Sequence, residues 1–212
     1  MKRGVAAAVL LGLVAFGAAL AFTPPRGPRS IRIFNPNRLA DLEVGMWKAY
    51  YDKQRVRLFS LLVTMLHEQY RYSWATATTE AFHLVKAAAT FGDLKENYDI
   101  VLPDLESAYR TAKSWLGAGF DPPAVARAEL AWWVARRIPG ENSAEQIGTL
   151  MAHEYALLYE TSPEVVGAAA LLRAEAAKLR DNQADHPDWA AITELLQQSY
   201  RELLLSLSSA NV

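Results

Sequence analysis

Four glutamates of this chain stand where an apolar side chain is expected. Glu154 has Leu150, Met151, Leu157 and Leu158 as its neighbours three and four residues away, so it interrupts an apolar helical stripe. Glu129 stands in the same way among Val125, Trp132 and Trp133, and Glu43 among Leu39, Met46 and Trp47. Glu80 shares a face with Thr76 and Ala87 and has His83 three residues on. A carboxylate on a core face costs several kcal/mol unless it is paired, protonated or bound to a metal. Residues three apart on a helix project side by side, so Glu80 and His83 are spaced to share one ion or one hydrogen bond. An ion pair is the other outcome for buried glutamates, and Arg136-Arg137, seven and eight residues beyond Glu129, are the nearest cations of that helix.

In chain order the set is a Glu, a Glu-x-x-His, a Glu and a Glu on four different helices. It resembles part of the ferritin-like pattern, in which two helices each give a Glu and two others each give a Glu-x-x-His to a di-metal centre. The resemblance covers these few positions. It implies iron or manganese held by Glu43, Glu80, His83, Glu129 and Glu154, in an oxidase or a metal-binding protein. The second Glu-x-x-His would need histidine at 157, where this sequence has Leu157; His153 and His67 are the candidates to replace it.

A second constellation is aromatic. Trp132-Trp133 joins Trp47, Tyr50, Tyr51, Tyr70, Tyr72 and Trp74 in a chain with 6 tryptophans and 9 tyrosines. Adjacent helical residues point about 100° apart, so one tryptophan of the pair faces a second layer, a partner, a ligand or lipid. Trp132, Trp133, Trp47 and Tyr51 are the expected partner-binding residues. This reading needs no cofactor.

Other chemistries lack their residues. There is no cysteine, which excludes disulfides, thiol catalysis and Cys-ligated metals. No G-x-S-x-G elbow, phosphate-binding glycine loop or complete H-E-x-x-H is present. The formal net charge is −1 without a basic stripe, so no nucleic-acid partner is expected.

The elements that must position these residues read as helices throughout. A long first helix is expected from about Leu39 to Tyr72, with a polar stretch at 52–57 that could bend it. Others follow at 74–91, from Pro103 to Gly117, from Pro122 to before Pro139-Gly140, from the Ser143-Ala-Glu-Gln146 capping box, from Ser162-Pro163 and from Pro187-Asp188 to about Leu207. The expectation is an all-α, bundle-like domain of about seven helices over 39–212.

Ahead of it, residues 4–22 form one apolar run behind Lys2 and Arg3, followed by a Pro/Arg-rich linker over 23–38. Such a run is a signal peptide or a membrane anchor within 1–22. The sequence therefore predicts a membrane-anchored or exported accessory domain, extracytoplasmic or periplasmic in a bacterium. Its expected partner is another membrane or periplasmic protein, or a lipid, bound through the aromatic face.

Overall fold

The computed structural model describes residues 15–209. Turn chemistry sets its order. Asn35 caps the first helix, α1 (Pro36–Tyr51), by accepting the Arg38 N–H, with Pro36 in the first turn. Asp52 ends α1, and Lys53 takes a left-handed backbone conformation (φ 56°) before α2 (Arg55–Tyr70) begins. The single long helix expected over 39–72 is thus an antiparallel pair. The polar run at 52–54 has no side chain to bury, so the chain reverses there.

Ser73 caps α3 (Trp74–Asp93). A short 3-10 turn at Tyr98–Val101 leads into α4 (Leu102–Leu116), which stops at Gly117 in the left-handed region (φ 66°), where glycine carries no steric cost. The next helices are α5 (Pro122–Ala135), α6 (Ala144–Leu158), α7 (Pro163–Asn182) and α8 (Trp189–Ser209). The Ser143–Gln146 capping box is formed in both directions, and Asp188 accepts the backbone N–H groups of Ala190 and Ala191. Among the described residues there are eight α-helices from Pro36 onward rather than seven, and no strand.

Each helix packs chiefly on the helices before and after it, and α8 returns to α1. The eight helices therefore close a ring. Contacts across the closing seam show that it is antiparallel: Arg201 binds Asn37, Gln197 reaches Asp41, and Lys48 lies over the Trp189 ring. The ring is tightest at α6–α7, where a Cβ on Gly148 would lie 3.1 Å from the Leu171 Cα. Alanines 169, 170, 174, 176 and 177 fill the same side of α7.

An even number of alternating helices gives the ring two ends. One end carries the C-termini of α1, α3, α5 and α7, with Tyr50, Tyr51, Arg136, Arg137 and Asp181. The other carries the C-termini of α2, α4 and α6, with Tyr70, Trp115 and Tyr159. The Pro/Arg-rich segment lies across this second end. Arg29 sits over the Trp115 ring, Arg32 donates to the Tyr159 carbonyl, Phe34 packs edge-on to Tyr200, and the Asn35 N–H is bound by Gln69. What reads as a linker is a cover.

The apolar run at 4–22 lies mostly outside the described residues. Residues 15–22 are helical, and Phe16, Leu20 and Phe22 are exposed. No helix among the described residues is long and apolar enough to cross a membrane.

Candidate functional site: a cavity inside the helical ring

The ring encloses a cavity of about 530 Å³ to which all eight helices contribute. That volume suits a lipid- or drug-sized molecule. Exposure shows which end is open. Arg137 and Asp181 are exposed and Tyr50 and Tyr51 half-buried, whereas Tyr155 and Tyr159 are buried and the cover lies over the far end.

The walls are layered with depth. Rim side chains are held by ion pairs: Arg136 donates to Asp181 at 2.8 Å and to the Tyr51 hydroxyl at 2.9 Å, and Arg180 lies over the Tyr51 ring. Arg137 lies over the Phe91 ring and donates to the Leu94 carbonyl. Further in come Trp47, Trp132 and Trp133, with Phe91, Leu58, Leu62 and Leu84 on the facing helices. Glu43 lies eight residues before Tyr51 on α1, which places it about 12 Å below the rim. Glu129 lies at nearly the same depth on α5.

That middle layer is polar. Glu43 is 3% exposed and is bound by two nitrogens of Arg173, at 2.7 and 2.9 Å, and by the Tyr200 hydroxyl. Burial alone would pull the Arg173 guanidinium pKa down, but Glu43 and the facing Tyr155, Tyr200 and Glu154 outweigh it and hold Arg173 charged. On α5 and α6, the Tyr109 hydroxyl lies 2.8 Å from Glu129 Oε2 and 3.4 Å from Glu154 Oε1, so one hydroxyl reaches both carboxyls. The Trp132 indole N–H donates to Glu154 Oε2. Burial, followed by the adjacent Glu154, pushes Glu129 up to about 8. Burial also raises Glu154, against the pull of Arg173 and the Trp132 hydrogen bond.

Glu80 stands on α3. Burial pushes its pKa up to about 8, against the downward pull of the Tyr72 hydroxyl. It is 5% exposed, and its Oε2 has no hydrogen-bond partner.

These positions sort the sequence expectations. Glu43, Glu80, Glu129 and Glu154 all line the one cavity, as do Trp132, Trp133, Trp47 and Tyr51. The aromatic face is therefore an inner wall rather than an outer surface. Trp132 is buried and Trp133 half-buried against Phe91. His83 is not with them. Its Nδ1 meets Asp104 Oδ1 at 2.9 Å, beside Lys86, on the α3–α4 side of the ring.

The di-metal arrangement is corrected accordingly. The charge of Glu43 is taken by Arg173, His83 turns to Asp104, and Glu80 turns to Tyr72. Among the described residues no three or more His, Asp or Glu side chains are grouped to hold a metal ion. The cations expected for these glutamates, Arg136 and Arg137, stay at the rim.

Sequence reasoning passed over Arg173, Tyr109 and Tyr200, and counted Tyr72 only among the aromatic residues. Arg173 carried a usable signal. Its neighbours three and four residues away are Ala169, Ala170, Ala176 and Ala177, so it stands on an apolar stripe as the glutamates do. The tyrosines carried none, because a tyrosine on an apolar face is ordinary packing. No family model matches this chain, and no curated protein or solved structure matches it.

Proposed function

We propose that this protein binds a largely apolar small molecule of lipid size inside its helical ring. The observation that carries the reading is the convergence of Trp47, Trp132, Trp133 and Tyr51 on one internal cavity of about 530 Å³ whose lining reaches the exposed Arg137 and Asp181 at one end. An aromatic face offered to another protein would lie on the outside. One turned inward, with polar groups fixed beneath it, has the build of a ligand pocket: apolar walls and a few placed polar atoms.

The apolar run at 4–22 supports a membrane-anchored or exported location for this activity, where lipid-like ligands are at hand. The protein is read as a receptor or carrier rather than an enzyme.

The test uses Nile red, an uncharged apolar dye whose emission rises on leaving water. The wild-type protein takes it up with saturation and one site per chain. Ala88 lines the cavity, and Ala88→Phe fills it. Dye uptake is lost in that variant while its helical signal and cooperative melting remain. Equal dye uptake by wild type and A88F would refute an internal site.

A further inference from the structure

The polar layer under the aromatic walls has more acceptors than donors. Glu80, Glu129 and Glu154 present carboxyl groups to the cavity. The donors hydrogen-bonded to them are the Tyr109 hydroxyl and the indole N–H of Trp132, with the Tyr72 hydroxyl acting on Glu80. Arg173 pulls on Glu129 and Glu154 through space, and no cation among the described residues is hydrogen-bonded to any of the three. Arg173 gives its near nitrogens to Glu43, and Arg136 gives its own to Asp181 and Tyr51 at the rim.

The shortage has a visible mark. Glu80 Oε2 is buried without any partner on the cavity wall. A buried carboxyl oxygen left so costs of the order of 1–3 kcal/mol or more, and such groups in folded proteins are nearly always satisfied. Glu129 is half-buried and lines the cavity, so accessible surface remains beside it.

We propose that the ligand of this cavity carries a protonated amine, received by the unpartnered Glu80 carboxyl in an acidic belt that Glu129 and Glu154 continue along the cavity wall, with its apolar body against the tryptophans above. This rests on the ligand-pocket reading. An ammonium supplies both things Glu80 Oε2 lacks, an N–H donor and a positive charge. An alcohol supplies a donor without the charge. A quaternary ammonium supplies the charge without N–H donors. A carboxylate supplies neither. In the empty protein at near-neutral pH Glu80 and Glu129 hold their protons, up to about 8, and an arriving ammonium releases the Glu80 proton to solvent to form the ion pair. The wall chemistry also suits a cation, since Trp and Tyr faces attract positive charge.

The experiment ranks three probes of equal chain length on the full chain at near-neutral pH: n-octylamine, 1-octanol and octanoate. Affinity is read by displacement of Nile red and by calorimetry. Octylamine binds at least tenfold more tightly than octanol, and octanoate binds most weakly. The double variant Glu80→Gln/Glu129→Gln loses at least tenfold in octylamine affinity and keeps its octanol affinity.

Octanol binding as tightly as octylamine in the wild type overturns the amine and leaves the apolar pocket standing. Failure of all three probes together with Nile red overturns both. The wild-type ranking needs no variant, so it decides the matter even if the double variant does not fold.

Discussion

Replacing Glu80 by glutamine should change stability with a sign that depends on pH. Burial pushes this carboxyl from an ordinary 4.5 to about 8. The folded protein keeps the proton through that interval while the unfolded chain releases it. Stability that the protonated group leaves intact below about 4.5 is therefore lost as pH rises, down to a floor above about 8. Each pKa unit is worth about 1.4 kcal/mol, so the full interval sets a ceiling of about 5 kcal/mol. Water entry on ionisation lowers this, and about 2–4 kcal/mol is the expected loss.

Glutamine cannot ionise and escapes the loss. At about pH 5 it brings an amide N–H₂ to a place holding one unpaired acceptor, and a misfit there costs about 1 kcal/mol. E80Q is accordingly slightly less stable than wild type at about pH 5 and more stable at about pH 9. Urea unfolding measures both. With slopes of about 1–3 kcal/mol per molar, the midpoint difference moves by on the order of 1 M between the two conditions. Because Glu129 titrates similarly in both proteins, it drops out of the difference. A constant offset between E80Q and wild type across this range would refute the buried, proton-holding Glu80.

Arg173→Met leaves Glu43 buried without its counter-charge and should cost about 3–5 kcal/mol by chemical unfolding, with much of that recovered in the Glu43→Gln/Arg173→Met pair. Gly148→Ala places a Cβ 3.1 Å from the Leu171 backbone and should destabilise by about 1–3 kcal/mol, read as a lower thermal midpoint. Ser143→Ala removes one half of the capping box on α6 and should cost about 1 kcal/mol. Removing residues 1–22 should leave the thermal midpoint unchanged, because Phe16, Leu20 and Phe22 are exposed. Removing 1–35 should lower it, because Arg29, Arg32 and Phe34 are seated on Trp115, Tyr159 and Tyr200.

Local chemistry made most of the helices legible. Pro36, Ser143–Gln146, Gly117 and Asp188 act within four residues of themselves, and each did what its type requires. Glu154 and Glu129 were legible as shielded carboxyls because leucine, methionine and tryptophan around them give a sharp contrast. Arg173 escaped notice because alanines around it blur that contrast.

The reversal at 52–54 was half legible, since a polar run marks a bend or a turn equally well. Closure of the ring was not legible, because α8 meets α1 across more than a hundred residues and no local pattern encodes that meeting. For the same reason the direction of the aromatic face stayed open. The spacing of Trp132 and Trp47 is identical whether a helix turns them to solvent or to an enclosed space. His83 was misplaced for a smaller reason. A position three residues from Glu80 still differs by about 60° around the helix, enough to swing the ring from the cavity to Asp104.

The cover formed by residues 23–35 fixes a polarity for the whole molecule. Pro36 and Ser209 both lie at the covered end, because eight alternating helices return the chain to the pole from which it set out. A bilayer, a resin or a fused domain joined directly at Pro36 or Ser209 would therefore be held at the pole opposite the opening. The entrance is left facing outward into the surrounding solution. Its border is made by the turns at 52–54, 94–97, 136–143 and 183–188. These segments could be exchanged to alter what is admitted while the acidic belt, about two to four helical turns beneath them, kept its own geometry.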